Sequence, residues 1–128
     1  MRMSPEANPL QELRSGELSI DSTVGPEGLR LEWRGRSAAR DPRAILIPYF
    51  EQAIAVARDS GRPVAMHFEG LEYFNSSTIA ALIDAIRLGS EHRVPMVMFY
   101  KESVRWQRMS FDALRMFTRE HDFQLRGV

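Results

Sequence analysis

An α/β domain with a mixed sheet of four to five strands, and three or four helices packed on it, is what this sequence predicts. Three observations carry the prediction. RPVAMHF (62–68) and VPMVMFY (94–100) are short continuous apolar runs, the pattern of central parallel strands covered on both faces. Between them Ile79, Leu82, Ile83 and Ile86 fall at i, i+3, i+4 and i+7, the apolar stripe of an amphipathic helix, which makes the three segments a strand–helix–strand crossover. Ahead of both, GELSIDSTV (16–24) and GLRLEWRG (28–35) alternate apolar and polar residues around GPEG (25–28), the signature of a β-hairpin.

The remaining elements follow in chain order. Residues 1–14 hold Pro5, Asn8 and Pro9 among polar side chains and read as a flexible N-terminal arm, leaving 15–128 as the folded domain. In the hairpin, Leu29, Leu31 and Trp33 share one face. After Asp41, with Pro42 suited to the first helical position, Leu46, Phe50, Ala53 and Ala57 form a helical stripe. Pro48 interrupts it: an interior proline costs about 3 kcal/mol, so the helix is expected to begin near Ile47 or to bend there. Gly89 is placed to end the second helix in a left-handed cap. Val104, Met109, Ala113, Leu114 and Phe117 suggest two short helices or one kinked one, with Ser103 and Ser110 as N-caps, and DFQLRGV (122–128) suggests a last edge strand.

Composition narrows the function. Seventeen basic side chains balance seventeen acidic ones in 128 residues, so no global field directs the chain to nucleic acid. Without cysteine there is no disulfide framework, no thiolate nucleophile and no Cys-ligated zinc. The first residues lack an apolar signal region, and no apolar run approaches the roughly 18 residues of a membrane-spanning helix. A soluble cytoplasmic protein without nucleic-acid or membrane partners is expected, as a monomer or weak homodimer.

The stretch that asks for an explanation is LEYFNSSTIAALI (71–83), where an apolar approach breaks into Asn75, Ser76, Ser77 and Thr78 just as a helical period begins. One of these residues suffices to cap a helix, by accepting from one of the backbone N–H groups that lack intrahelical partners. Four polar residues at the carboxyl end of a strand also stand where open α/β sheets present functional groups. A hydroxyl there is suited to phosphorylation, because a helix N-terminus favours negative charge. Residues alone leave both readings open.

FEGLEYFNSSTIAALI resembles the signature of the STAS domain, the sulphate-transporter and anti-sigma-factor-antagonist family. Gly70 and Leu71 match its Gly-hydrophobic pair, Tyr73 and Phe74 its apolar positions, and Ser76 and Ser77 its paired hydroxyls; the order of elements over about residues 16–128 is similar too. The resemblance implies a non-catalytic domain that binds a regulatory protein, and in bacterial members a kinase with anti-sigma activity phosphorylates the serine at the position of Ser76, which weakens binding. Asn75 stands where the family usually has Asp, and Thr78 where it has Gly. The form YFNSST is more similar to STAS-like phosphoproteins that regulate a diguanylate cyclase in biofilm signalling. The signalling reading makes Ser76, Ser77 and Thr78 the phosphorylation candidates; the alternative is a ligand-binding or scaffold STAS-like domain whose serines only cap the helix.

Enzyme readings find little. The sequence has no G-x-S-x-G elbow, H-E-x-x-H, phosphate loop, dinucleotide fingerprint or S-x-x-K pair. A serine nucleophile needs His67, His92 or His121 as its base, and His67 reads as a core histidine far down the strand that leads to Ser76. Glu120, His121 and Asp122 point to alternate faces of an extended segment, so neither a metal site nor any cofactor is expected. Arg34, Arg36, Arg40 and Arg43 crowd the approach to the first helix, either as a solvated face or as an anion- or partner-binding patch. In the second reading Arg36, Arg40 and Arg43, with Asn75, lie at the Ser76 end of the sheet.

Overall fold

The alternation seen in the hairpin survives directly in three dimensions. In a computed structural model describing residues 10–26, 28–119 and 122–128, β2 (Leu18–Gly25) and β3 (Gly28–Ser37) pair antiparallel from Leu18↔Gly35 to Gly25↔Gly28. Leu29, Leu31 and Trp33 are buried on one face. Glu27, in the expected turn, lies outside the described residues.

Ahead of the hairpin, β1 (Leu13–Ser15) pairs antiparallel with β2, Leu10 is buried, and the Ser22 hydroxyl donates to the Leu10 carbonyl at 2.9 Å. The domain therefore begins before residue 15. Of the expected arm 1–14, residues 1–9 lie outside the described residues, whereas 10–14 belong to the fold.

After β3 come α1 (Pro42–Ser60), β4 (Val64–His67), β5 (Leu71–Phe74), α2 (Ser76–Glu91), β6 (Met96–Tyr100), α3 (Arg105–Asp112), a 3₁₀ turn (Arg115–Thr118) and β7 (Phe123–Gly127). Among the described residues the sheet has seven strands in the order β1-β2-β3-β4-β6-β7, with β5 paired to β3 off this path. The class is the expected one; the strand count exceeds the expected four to five. The two unforeseen strands are β1 and β5.

Strand β3 is long enough to take two parallel partners in succession. Its first half pairs with β4, Leu29↔Val64 to Glu32↔His67, and its end pairs with β5 at Gly35↔Leu71, Arg36↔Tyr73 and Ser37↔Phe74. Strand β5 thus sits beyond the carboxyl end of β4, and the helix that follows it starts at that end of the sheet.

Helix α1 buries the expected Leu46, Phe50, Ala53 and Ala57, but it begins at Pro42 and runs through Pro48, which stands on its exposed side. In α2 the buried stripe is Thr78, Ala81, Leu82, Ala85, Ile86 and Gly89; Ile79 and Ile83 are only half-buried at its margin. Gly89 does not end the helix. It lies inside α2, where a Cβ would meet the Val94 carbonyl at 3.1 Å, and its own carbonyl accepts from the Val94 N–H at 2.8 Å, drawing the start of β6 against the helix. Helix α3 is preceded by Val104 rather than by a capping serine, Ser110 lies within it, and it buries Gln107 and Phe111. Met109, expected on the buried stripe, is 61% exposed.

The helices cover one face of the sheet. Met66 and Met98 face them in register, while the next row, Glu32, His67, Phe99 and Arg126, lies on the opposite face. Val97 and Phe99 are half-buried there, so the apolar runs of β4 and β6 do not have helical cover on both sides.

The candidate functional site at the start of helix α2

At the N-terminus of α2 four consecutive polar residues have different environments. Asn75 is the N-cap: its extended backbone (φ −90°, ψ 173°) turns the chain, and its Oδ1 accepts from the Thr78 N–H at 2.9 Å and from the Thr78 hydroxyl at 2.8 Å. Its amide nitrogen is used as well. Nδ2 donates to the Ala39 carbonyl at 2.9 Å, and the Asn75 backbone N–H donates to the Ser37 carbonyl at 3.1 Å, tying the β3–α1 loop to the start of α2.

Thr78 is fully buried, its Oγ1 lying 2.8 Å from Oγ of the equally buried Ser37. Expected as a third modifiable hydroxyl, it is a structural one, closed off by the packing of α2 on β3. Ser76 and Ser77, at the first two helical positions, are exposed and make no side-chain hydrogen bond among the described residues. The alternative reading, in which the serines cap the helix, does not match this arrangement. Asn75 supplies the cap.

The arginines divide into two pairs. Strand β3 reaches Ser37, so Arg34 and Arg36 stand on the strand rather than in the loop before α1. Arg34 bridges Asp21 at 3.4 Å and Glu32 at 3.1 Å on the uncovered sheet face, and Arg43 reaches across to Asp84 of α2 at 2.7 Å. Those two are engaged. Arg36 lies over the exposed ring of Tyr73, 4.8 Å from its centroid, and Arg40 is exposed on the loop whose Ala39 holds Asn75. Both stand at the end of the sheet where α2 begins.

One residue that the sequence reading passed over positions this end. Gln107 is buried, and its Nε2 donates to the carbonyls of Phe68 (2.8 Å) and Leu71 (3.0 Å) while its Oε1 accepts from the Lys101 N–H at 2.7 Å. It fastens α3 to the turn that delivers β5, and through β5 to Asn75. A glutamine between Trp106 and Arg108 carries no sequence signal of that role. Ser37 was missed likewise, since its partner is 41 residues away.

The histidines are placed elsewhere. His67 ends β4, a different strand from the one leading into Ser76; it lies on the uncovered face, stacked on Phe99 at 4.3 Å with Nδ1 3.2 Å from Glu69. It is not a core residue. His92 follows the last turn of α2, about 24 Å along the helix from Ser76 at 1.5 Å per residue. His121 and Glu120 lie outside the described residues. Among the described residues no cluster of three or more His, Asp or Glu is arranged to hold a metal, and no helix is long and apolar enough to cross a membrane.

No protein-family model and no curated protein matches the sequence. Solved structures match its fold. Apo-SiaC from Pseudomonas aeruginosa aligns with a TM-score of 0.60 at 20% identity, covering 92% of this chain and 98% of that one. A chain of the complex of the diguanylate cyclase SiaD with its activator SiaC, from the same organism, aligns at 0.60 with 19% identity, covering 92% and 99%. A Shewanella loihica protein of the DUF3478 family, described as having a SpoIIAA-like fold, aligns at 0.48 with 16% identity over 88% of this chain and 89% of its own. The chain has the fold of SiaC.

Proposed function

We propose that this chain is a non-catalytic signalling domain that binds a regulatory protein of the anti-sigma kinase or cyclase type, and that phosphorylation of Ser76 weakens the complex. The observation that carries the reading is the division of labour at the start of α2. Asn75 satisfies the helix cap, so Ser76 and Ser77 are exposed hydroxyls at a helix N-terminus without a structural duty there.

The first turn of α2 contains no acidic residue, so the positive end of its dipole has no side-chain countercharge. A phosphate of about −1.5 to −2 charges is tolerated there by the domain itself. A partner packed on the same end has to desolvate that charge, which is unfavourable unless it offers a cation. Fold survives and binding falls. Arg36, Arg40 and Tyr73 flank this end and suit a docking surface rather than a reaction, and SiaC, the neighbour with this fold, is described as the activator of a cyclase. That description supports a signalling enzyme as the partner.

The test compares wild type, Ser76→Ala, Ser76→Asp and Ser77→Ala for thermal stability, for phosphate on residues 76–78 in native cells, and for binding to a cyclase or anti-sigma kinase encoded beside the gene. Ser76→Asp is expected to stay folded and lose the partner, whereas Ser76→Ala binds and resists phosphorylation. Equal affinity of the Asp and Ala variants, with no phosphate found on Ser76 or Ser77, refutes the switch.

A further inference from the structure

A cavity of about 250 Å³ opens between the β1–β2 turn, the end of β3 and the first turns of α1. Leu18, Pro42 and Leu46 form its buried apolar wall, Ala38 and Ala39 close the loop side, and Ile45, 36% exposed, is an apolar side chain left partly uncovered at the opening. Two serines belong to this wall. Ser37 is buried and bonded to Thr78 at 2.8 Å. Ser15 stands opposite Leu18 in the β1–β2 register, so its side chain lies on the same face of the sheet as the buried Leu18, and its hydroxyl makes no hydrogen bond among the described residues.

Bonds outside the cavity hold it in shape. Gly35 has φ +85°, and a Cβ there would overlap the Glu17 carbonyl, so the β1–β2 turn packs directly on β3. The same carbonyl accepts from the Arg36 N–H at 3.2 Å. On the loop side, Asn75 Nδ2 holds the Ala39 carbonyl at 2.9 Å. Sites for small molecules are largely preformed in this way. The Arg36 guanidinium lies over Tyr73, on the sheet face away from α1, and Glu17 is exposed. What the side chains of the wall offer is therefore apolar surface and one free hydroxyl.

We propose that this cavity binds a small neutral molecule with a rigid apolar body and one hydrogen-bond donor, the chemistry of indole. The rings cover Leu18, Ile45 and Leu46, and the ring N–H donates to the Ser15 hydroxyl. A charged ligand has to leave water for a wall that gives it no counterion, which is unfavourable. A cavity of about 150 Å³ lined by apolar side chains holds one benzene ring, so about 250 Å³ suits two fused rings rather than a nucleotide. A rigid body also loses little conformational freedom on binding, which favours it over a flexible chain of the same size. The site stands independently of the Ser76 switch.

The test is a backbone-amide NMR titration of wild type, Ser15→Ala and Ile45→Glu with indole and with benzothiophene, which has the same two rings and no N–H. Saturable shifts at Gly16, Leu18, Ala39 and Ile45 are expected for wild type with indole. Indole is expected to bind wild type roughly two- to tenfold more tightly than benzothiophene, the effect of one neutral hydrogen bond, and Ser15→Ala to remove that preference. Ile45→Glu places a carboxylate at the opening and is expected to weaken both ligands roughly tenfold or more, with the thermal midpoint showing that the fold is kept. Absence of saturable shifts with indole, or shifts confined to other parts of the domain, overturns the proposal. Equal affinity of the two ligands for wild type overturns it too, as does a preference for indole that survives in Ser15→Ala. Wild-type affinity in folded Ile45→Glu has the same consequence; where that variant does not fold, the Ser15→Ala comparison decides alone.

Discussion

Asn75→Asp installs the residue that the STAS signature carries at this position, and local rules make it harmless. Asp and Asn cap helices about equally well, and a negative charge at a helix N-terminus contributes about 0.3–1 kcal/mol. The structure gives the opposite sign. Asn75 acts through both ends of its amide: Oδ1 accepts from the N–H and hydroxyl of Thr78, and Nδ2 donates to the Ala39 carbonyl at 2.9 Å. Aspartate keeps the first two bonds and replaces the donor by an oxygen facing the Ala39 carbonyl. The lost bond costs about 0.5–1.5 kcal/mol, and the opposed oxygens add to it unless the loop moves away. Set against the dipole gain, the net expectation is a destabilisation of up to about 1 kcal/mol. Asn75→Ala loses the cap as well and should cost about 2–3 kcal/mol in all. Urea unfolding followed by the fluorescence of buried Trp33 measures both. The expected order of stability is wild type, then Asp, then Ala. An Asp variant more stable than wild type by about 0.3–1 kcal/mol, the dipole gain alone, would show that the tether between the β3–α1 loop and α2 contributes nothing.

Leu82→Ala should cost about 2–5 kcal/mol and Ile83→Ala distinctly less, because Leu82 is fully buried and Ile83 lies at the margin of the α2 stripe; chemical denaturation of the pair measures the difference. Gln107→Leu removes the Gln107 bonds to the Leu71 carbonyl and the Lys101 N–H, at about 1–3 kcal/mol for each group that stays buried, while the Phe68 carbonyl keeps the Leu71 N–H, so a loss of at least about 2 kcal/mol is expected, with faster amide exchange around Leu71. Burial pushes the Tyr49 phenol up to about 12, above its ordinary value of about 10. The folded state then holds this proton more tightly than the unfolded chain, so the stabilisation is complete below about pH 10 and lost as pH rises towards 12. Tyr49→Phe should flatten that alkaline limb of the stability profile.

What the sequence determined by itself was periodic and local. The alternation of Leu29, Leu31 and Trp33, the stripe of Leu46, Phe50, Ala53 and Ala57, and the break at Asn75 specify a hairpin, a helix and a strand–helix junction, because period and capping chemistry are written within a few residues. The site was legible to the same depth: the NSST segment marked the start of α2 correctly. Which hydroxyl is free was not legible, since Thr78 is closed off by Ser37 and Asn75 is tethered to Ala39, partners 41 and 36 residues away that only packing brings near. The short strands β1 and β5 were missed because each owes its existence to a neighbour, β2 and the far half of β3, rather than to a pattern of its own. The arginines give the clearest case. Four similar side chains in ten residues carry one signal in sequence, yet the twist and length of β3 and the packing of α1 on α2 send Arg34 to Asp21 and Arg43 to Asp84, and leave Arg36 and Arg40 at the end of the sheet where α2 begins. A charge is specified by its residue; its partner is specified by the fold, because ion pairs form between surfaces that meet only after the chain has packed.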